Sequence, residues 1–353
     1  MAYDQEKLKK VTENVDRLIT MDLKPSPIRE LYEAAREHHG KSPTLLAAEK
    51  LMERVGPGDT VILITGSLIS PFGTGETDGP LGTASLAHIL CLYMNARPIV
   101  LTMPSMISMV RAPLRAVGLN CIEPGQMKEV EDYMRGLVGI GSFPVNDAEA
   151  IRESAYLMDT FNPKAVISIE VTGANQKGIY HAYGRDYSHY IFKASRLFEE
   201  ASRRGVLTVG VGDRGNEIGV GAAKLHEAAR KAHPFGEKCR CSCGEGSADA
   251  TKVDVTVVAM VSNWGAYGIE AILSALLGNR DAMHDGMLES RMLHACSMEG
   301  GVDGRNQTPD YLVDSLPEII HVGLVEMMRA ILAGAKIEPG GSAGHEPFGK
   351  GKY

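Results

Sequence analysis

Thr60-Val61-Ile62-Leu63-Ile64-Thr65-Gly66 is the stretch on which the fold turns. It is a short apolar run, rich in β-branched residues, that stops at a glycine. A strand covered by helices on both faces has this composition, because neither face meets water. Working outward, similar runs recur at residues 98–103, 165–169, 206–211 and 253–261. The third ends at Glu170, the fourth at Gly212-Asp213 and the last at Ser262-Asn263. Helix-forming segments at 86–94 and 269–277 alternate with them. Alternating strands and helices predict an α/β fold, a doubly wound, mainly parallel sheet with right-handed crossovers and flanking helices. Upstream, Leu31, Ala34, Ala35 and His38 fall at helical spacing after Pro25-Ser26-Pro27, which predicts an N-terminal helical layer over residues 1–55. The α/β domain is expected over 56–333. Residues 334–353, rich in Gly, Pro and Lys, are expected to form a mobile tail. Residues 126–159, with Gly136, Gly139 and Gly141, read either as a small inserted subdomain or as one crossover.

The chain has 353 residues, 44% hydrophobic and 23% charged, enough to bury a large core without staples. A formal net charge of -7 has the wrong sign for a nucleic-acid partner. No apolar run approaches the roughly 20 residues of a membrane span. The first ten residues mix acids and bases, unlike a signal or transit peptide. Six cysteines do not make a disulfide scaffold. Cys91, in an apolar helix-like run, reads as a reduced core thiol. Cys239, Cys241 and Cys243 form a C-x-C-x-C run that suits a soft metal, but the second ligand pair expected of a structural zinc motif is missing. Together these features predict a cytosolic protein. The partners expected are a small anionic substrate and, in a homo-oligomer, further copies of the chain.

Three polar loops follow three of the predicted strands. They are Gly75-Glu76-Thr77-Asp78-Gly79-Pro80-Leu81-Gly82, then Glu170 with Thr172-Gly173-Ala174-Asn175, then Gly212-Asp213-Arg214-Gly215-Asn216-Glu217. In a parallel sheet such loops share one edge, where ligands bind. Carboxylates crowded there without a cation repel one another. Carboxylate oxygens with an Asn amide suit one or two Mn²⁺ or Mg²⁺ ions, and the ligands expected are Glu76, Asp78, Glu170, Asp213, Asn216 and Glu217. The bland reading of each loop is helix capping, by Asp78 ahead of Pro80 and by Asn216 ahead of the next helix. The small residues around each acid favour the site, since they let a ligand approach the backbone. A metal-free binding module would instead hold its carboxylates more than about 8 Å apart, too far to share oxygen ligation. Gly210-Val211-Gly212-Asp213-Arg214-Gly215 fits G-x-G-x-x-G, but Asp213 and Glu217 would stand where a dinucleotide pyrophosphate belongs. His181 is a potential proton carrier, set against the ordinary role of a satisfied surface histidine. Trp264, the single tryptophan, either caps the core or walls a pocket.

These blocks resemble the D-glutamate cyclase C-terminal-domain family. The first loop looks like its signature. Ser168-Ile169-Glu170, with Gly173, Asn175, Gly178, Tyr180-His181, Gly184 and Asp186, is similar to its second block. Gly212-Asp213-Arg214-Gly215-Asn216-Glu217-Ile218-Gly219 resembles the third, and Ser262-Asn263-Trp264-Gly265-Ala266-Tyr267 the fourth. The blocks keep the family order across residues 60–275. Two departures stand out. Glu170-Val171-Thr172-Gly173 lacks the Arg expected after the Glu, and Arg214 replaces a usual glycine. One cation is lost and another gained nearby. The resemblance implies conversion of D-glutamate to 5-oxo-D-proline with loss of water. It also implies an alternative, a manganese-dependent phosphatase activity proposed for relatives. On this reading Asp213, Glu217, Asp186 and His181 are the catalytic candidates, the last two as the base. Thr172, Asn175 and Arg214 are expected to grip the substrate α-carboxylate, with Thr77, Gly79, Gly173, Ser262, Asn263 and Trp264 completing the substrate contacts.

Overall fold

The computed structural model describes residues 5–337 apart from Pro25, Pro71, Phe72, Asp132 and Tyr133. Seven parallel strands form the main sheet: β1 (Thr60–Thr65), β2 (Arg97–Thr102), β3 (Asn120–Ile122), β4 (Leu137–Ser142), β5 (Ala165–Ile169), β6 (Leu207–Gly212) and β7 (Val255–Val258). Their order across the sheet is β7-β6-β5-β1-β2-β4-β3. The chain builds one half outward from β1, then returns to place β5 on its other side. Every residue of β5 and β6 is buried, and so are the last five of β1. The continuous apolar runs follow from that burial. The fold is the doubly wound α/β sheet expected from the sequence.

Residues 126–159 turn out to extend the sheet. They supply β4, beside the short β3 that precedes them, and the start of helix α6 (Asp147–Phe161). The strand glycines answer a packing need. A Cβ at Gly139 would come within 2.9 Å of Met127, and one at Gly141 within 2.8 Å of Pro124. Gly210 and Gly212 of β6 are used in the same way. A Cβ at Gly210 would sit 2.2 Å from the Ile218 carbonyl oxygen, and one at Gly212 would sit 2.8 Å from Glu217. The G-x-G-x-x-G glycines thus make room for the chain folding back over its own strand.

Helices α1 (Gln5–Ile19), α2 (Ile28–His39) and α3 (Pro43–Arg54) form the N-terminal layer. Val11, Val15 and Ile19 give α1 one buried stripe at helical spacing. That stripe faces α9 (Ser262–Leu277), which is buried on every side over 262–276. α9 in turn packs on α4 (Pro80–Leu92), itself buried from Pro80 to Cys91. On the opposite wing α7 (Ser195–Arg203) packs on β6 and α6. Helix α5 (Ile107–Ala116) packs on α4, and α8 (Ala223–Ala232) packs on α2. Helices α10 (Gly286–Met298) and α11 (Glu318–Gly334) complete the chain. No helix among the described residues is long and apolar enough to cross a membrane. Of the expected tail, Gly334 closes α11, and residues 338–353 lie outside the described residues.

Candidate active site

The strand order reverses between β1 and β5, and the loops leaving β1, β5 and β6 open a crevice at that point. A two-strand hairpin, Leu68–Ile69 against Thr74–Gly75, carries the chain from β1 to Glu76 and Asp78. Glu170 follows β5 directly, with φ +52°, a left-handed conformation that non-glycine residues adopt at a cost. Asp213, Arg214 and Glu217 follow β6. A fourth segment closes the crevice: the hairpin Leu312–Val313 against Leu316–Pro317 presents Asp314 at its turn. The cavity so formed has a volume of about 580 Å³, and Glu76, Glu170, Asp213, Glu217 and Asp314 all line it.

The carboxylates are close. Asp78, Asp213 and Asp314 can each offer an oxygen within 4.8 Å of the other two, and so can Glu170, Asp213 and Glu217. Asp213 is the corner common to both triads. All of these side chains are buried. Burial, with Asp314 nearby, pushes Glu76 up to about 8 and Asp78 to about 7. Burial and the neighbouring acids also raise Glu170 and Asp213 well above the usual carboxylate range. Arg214 is the main compensating charge. Its Nε lies 3.1 Å from Asp213 Oδ2 and its Nη2 lies 2.9 Å from Asp314 Oδ2. Ser262 Oγ donates to Glu170 Oε2 at 2.5 Å. Glu217 Oε2 accepts the backbone N–H groups of Arg214 at 3.1 Å and Gly215 at 2.8 Å. The donor set consists of oxygens alone, which suits hard divalent cations, and its burial in excess of positive charge gives such a cation a reason to be there.

Other residues singled out in the sequence have structural tasks. Asp78 caps a helix, though a distant one. It accepts the N–H groups of Ser262 at 2.9 Å and Asn263 at 2.8 Å, at the start of α9. Asn263 returns the favour to α4, its Oδ1 accepting from Gly79 and Gly82, each at 2.8 Å. Its Nδ2 donates to the Thr77 carbonyl, while Thr77 Oγ1 donates to the Leu312 carbonyl. Gly79, at φ +101°, fits where a Cβ would press within 2.6 Å of Thr65 Oγ1. Gly173 leaves room for Asp249, whose carboxylate a Cβ would overlap. Asn175 spends its amide on the Gly246 carbonyl at 2.7 Å and on Cys243 Sγ at 3.5 Å. Trp264 is fully buried and donates to His321 Nδ1 at 2.9 Å, so it caps the core.

Thr172, Asn216 and His181 line the cavity. The Asn216 carbonyl also accepts from Gly173 N–H at 2.9 Å. His181 Nε2 faces Cys241 Sγ at 3.3 Å. Asp186 is exposed on the hairpin His181–Ala182 against Arg185–Asp186, where it accepts from Ser188 N–H.

Among the lining residues that escaped the sequence reading are Asp314, Arg305 and His233. Asp314 had a signal. Asp314-Ser315, between two short apolar pairs, takes φ values of 55° and 65°, the double left-handed turn that Asp and Asn favour. Arg305 comes from the loop folded around buried Asp303, which accepts the N–H groups of Arg305, Asn306 and Ser315. His233 is held neutral near pH 7, because burial and Arg214 push its imidazole down to about 4.

The chain is similar to the human mitochondrial D-glutamate cyclase, at 28% identity over 213 residues. The match covers 57% of this chain and 30% of the human protein, so this chain spans about a third of that relative's length. Solved structures offer weaker likenesses. A short-chain dehydrogenase/reductase from Mycobacterium ulcerans matches at 15% identity and TM-score 0.25, over 45% of this chain and 53% of its own. A serine palmitoyltransferase from S. paucimobilis matches at 12% identity and TM-score 0.22, over 95% of this chain and 85% of its own. Scores this low support no inference. The family described as D-glutamate cyclase-like, C-terminal, matches residues 15–329, the span that carries the sheet and all four loops of the crevice, and the chain belongs to that family.

Proposed function

We propose that this chain is a divalent-metal-dependent enzyme that closes D-glutamate to 5-oxo-D-proline with loss of water. The observation that carries the proposal is the pair of buried carboxylate triads sharing Asp213, at the switch point of a chain belonging to the D-glutamate cyclase-like family. The oxygens stand well inside the separation expected of a metal-free binding module. One or two Mn²⁺ or Mg²⁺ ions would be held by Asp78, Asp213 and Asp314 and by Glu170, Asp213 and Glu217. Such ions withdraw charge from a carboxylate that is otherwise a poor electrophile, and they stabilise the charge that develops during acyl transfer.

The protein has three tasks of its own. It must bend the substrate so that the amine meets the γ-carboxyl carbon. Arg214, Arg305 and Thr172 line the cavity and can hold the α-carboxylate there. It must then move protons. The ammonium group sheds two protons as the lactam forms, and both end on the departing water, so one shuttle serves and no proton is exchanged with solvent. Glu76 lines the cavity and stands in neither triad, so its carboxyl is left to carry a proton beside the substrate. It is our choice for the shuttle over His181, whose Nε2 faces a thiol, and Asp186, which is exposed. Finally, the cavity must limit water once substrate fills it, so that closure is favoured over reopening of the lactam.

The test is one Mn²⁺-loaded preparation given D-glutamate and, separately, a panel of phosphate esters. Formation of 5-oxoproline, abolished by Asp213→Ala and reduced about 10²-fold or more by Glu76→Gln, is the expected result. Phosphate release without 5-oxoproline would reject the cyclase in favour of a phosphatase.

A further inference from the structure

A second cluster, built from different chemistry, borders the same cavity at His181. We propose that Cys239, Cys241, Cys243 and His181 hold one zinc ion as a closed structural centre. Cys239 Sγ lies 3.3 Å from both Cys241 Sγ and Cys243 Sγ. His181 Nε2 lies 3.3 Å from Cys241 Sγ and 3.7 Å from Cys243 Sγ. One atom from each of the four residues falls within 4.8 Å of the other three. Tetrahedral ligands at zinc bond lengths stand roughly 3.5–3.8 Å apart, so a modest expansion of the cluster admits the ion. A disulfide is a poor account of the geometry. It would join two sulfurs at about 2.0 Å and leave the third sulfur and the imidazole turned toward nothing. The ligand that the C-x-C-x-C spacing lacked is His181, which arrives from a hairpin some sixty residues earlier in the chain.

The surroundings are those of a thiolate centre. Backbone hydrogen bonds run from Gly246 to the Cys239 sulfur and from Cys243 to the Cys241 sulfur. Asn175 Nδ2 reaches Cys243 Sγ at 3.5 Å while holding the Gly246 carbonyl at 2.7 Å. These contacts orient and partly neutralise sulfur ligands. The centre also has a mechanical purpose. Residues 233–254 connect α8 to β7 without a helix or strand. Phe235 and Ser247 of that segment line the cavity, as do Tyr183 and Gly184 of the His181 hairpin. The hairpin and the segment meet where Arg240 N–H donates to the Gly184 carbonyl at 2.7 Å. Zinc would fasten these two pieces of irregular chain together and so fix one wall of the cavity.

The centre shares no ligand with the carboxylate site, and the test separates them. The full chain, purified without chelator or metal-affinity tag, should carry about one zinc per chain by elemental analysis. Cys241→Ser and His181→Ala should each lower that content roughly tenfold or more. Asp213→Ala should leave it unchanged. Should the ligand variants fail to fold, the intact reduced chain, stripped and reloaded with Co²⁺, gives the same answer. It should show sulfur-to-cobalt charge-transfer absorption and the intense visible bands of a tetrahedral ion, which oxygen ligands do not produce. Absence of zinc together with absence of those bands, or zinc retained in full by a folded Cys241→Ser variant, would overturn the proposal.

Discussion

At the scale of single residues, Arg214 is the most informative departure from the family pattern. Its guanidinium bridges Asp213 and Asp314, two members of one oxygen triad. Charge-assisted pairs of this kind are strong when half-buried, so a cation entering that triad must share or displace the guanidinium. Arg214→Ala should therefore bind Mn²⁺ more tightly, by about tenfold or ~1.4 kcal/mol. The same variant should show a raised KM for an anionic substrate, since it loses a cation from the cavity. Calorimetric titration of the purified variant measures the first effect and steady-state kinetics the second. Weaker Mn²⁺ binding would show that Arg214 supports the metal oxygens instead of competing for them.

At the scale of elements, α4 and α9 cap each other. Asp78, just ahead of α4, binds the first N–H groups of α9, and Asn263, inside α9, binds Gly79 and Gly82 at the start of α4. Helix starts leave four N–H groups unpaired, and burial makes that deficit expensive. Both helices are buried there, so water cannot substitute. Asn263→Ala strips the buried Gly82 N–H of its acceptor, leaves Gly79 N–H to Asp78 Oδ1 alone and unpairs the Thr77 carbonyl, and should destabilise the fold by roughly 1–3 kcal/mol. Denaturant unfolding measures this, and a loss under about 0.5 kcal/mol, the size of an ordinary surface change, would mean the cap is dispensable. The same helix carries a second buried network. His284 lies between Glu270 of α9 at 2.6 Å and Glu289 of α10 at 3.3 Å, and Tyr267 Oη donates to Glu289 at 2.7 Å.

At the scale of the whole molecule, the site sets a pH signature. Glu76 is raised from an ordinary 4.5 to about 8 and Asp78 from 3.8 to about 7. Through those intervals the folded chain holds more protons than the unfolded chain, so stability falls as pH rises. His284, raised from 6.5 to about 10 mainly by Glu270 against the opposing effect of burial, acts in the same direction above pH 6.5. His39 and His233, lowered from 6.5 to about 4 chiefly by burial, act the opposite way, but their contribution is complete above 6.5. Within pH 6.5–8 the Cys239 thiol, lowered from 9.0 to about 5, opposes the trend. Glu76, Glu170, Asp213 and His284 all act together against it, so the metal-free chain should lose melting temperature with rising pH. Mn²⁺ should reverse the loss and act most strongly at the upper end, since it takes the place of the displaced protons. Melting curves across that window, with and without Mn²⁺, decide the matter. A metal-free melting temperature that climbs toward pH 8 would count against a protonated carboxylate cluster.

By itself the sequence determined the sheet and the edge at which its acidic loops gather. Buried parallel strands must be continuous and apolar, and such runs are readable because water is excluded from both their faces. The loops after β1, β5 and β6 were legible because the strand ends of a parallel sheet share one edge, although Asp78 in the first of them also caps α9. Tertiary structure alone decided who meets whom. Asp314 enters the crevice from a hairpin a hundred residues beyond Asp213, and its sequence signal says turn without saying where the turn lands. Asn263 and Trp264 carried the family pattern, yet their polar atoms are spent on capping α4 and on His321, because a buried amide or indole N–H must find a partner wherever the packing puts one. His181 read as a proton carrier and stands among three cysteines. Local sequence dictates which backbone forms. Which side chains share a cavity is fixed by how helices and loops from distant parts of the chain are packed together, and no spacing along the chain records that.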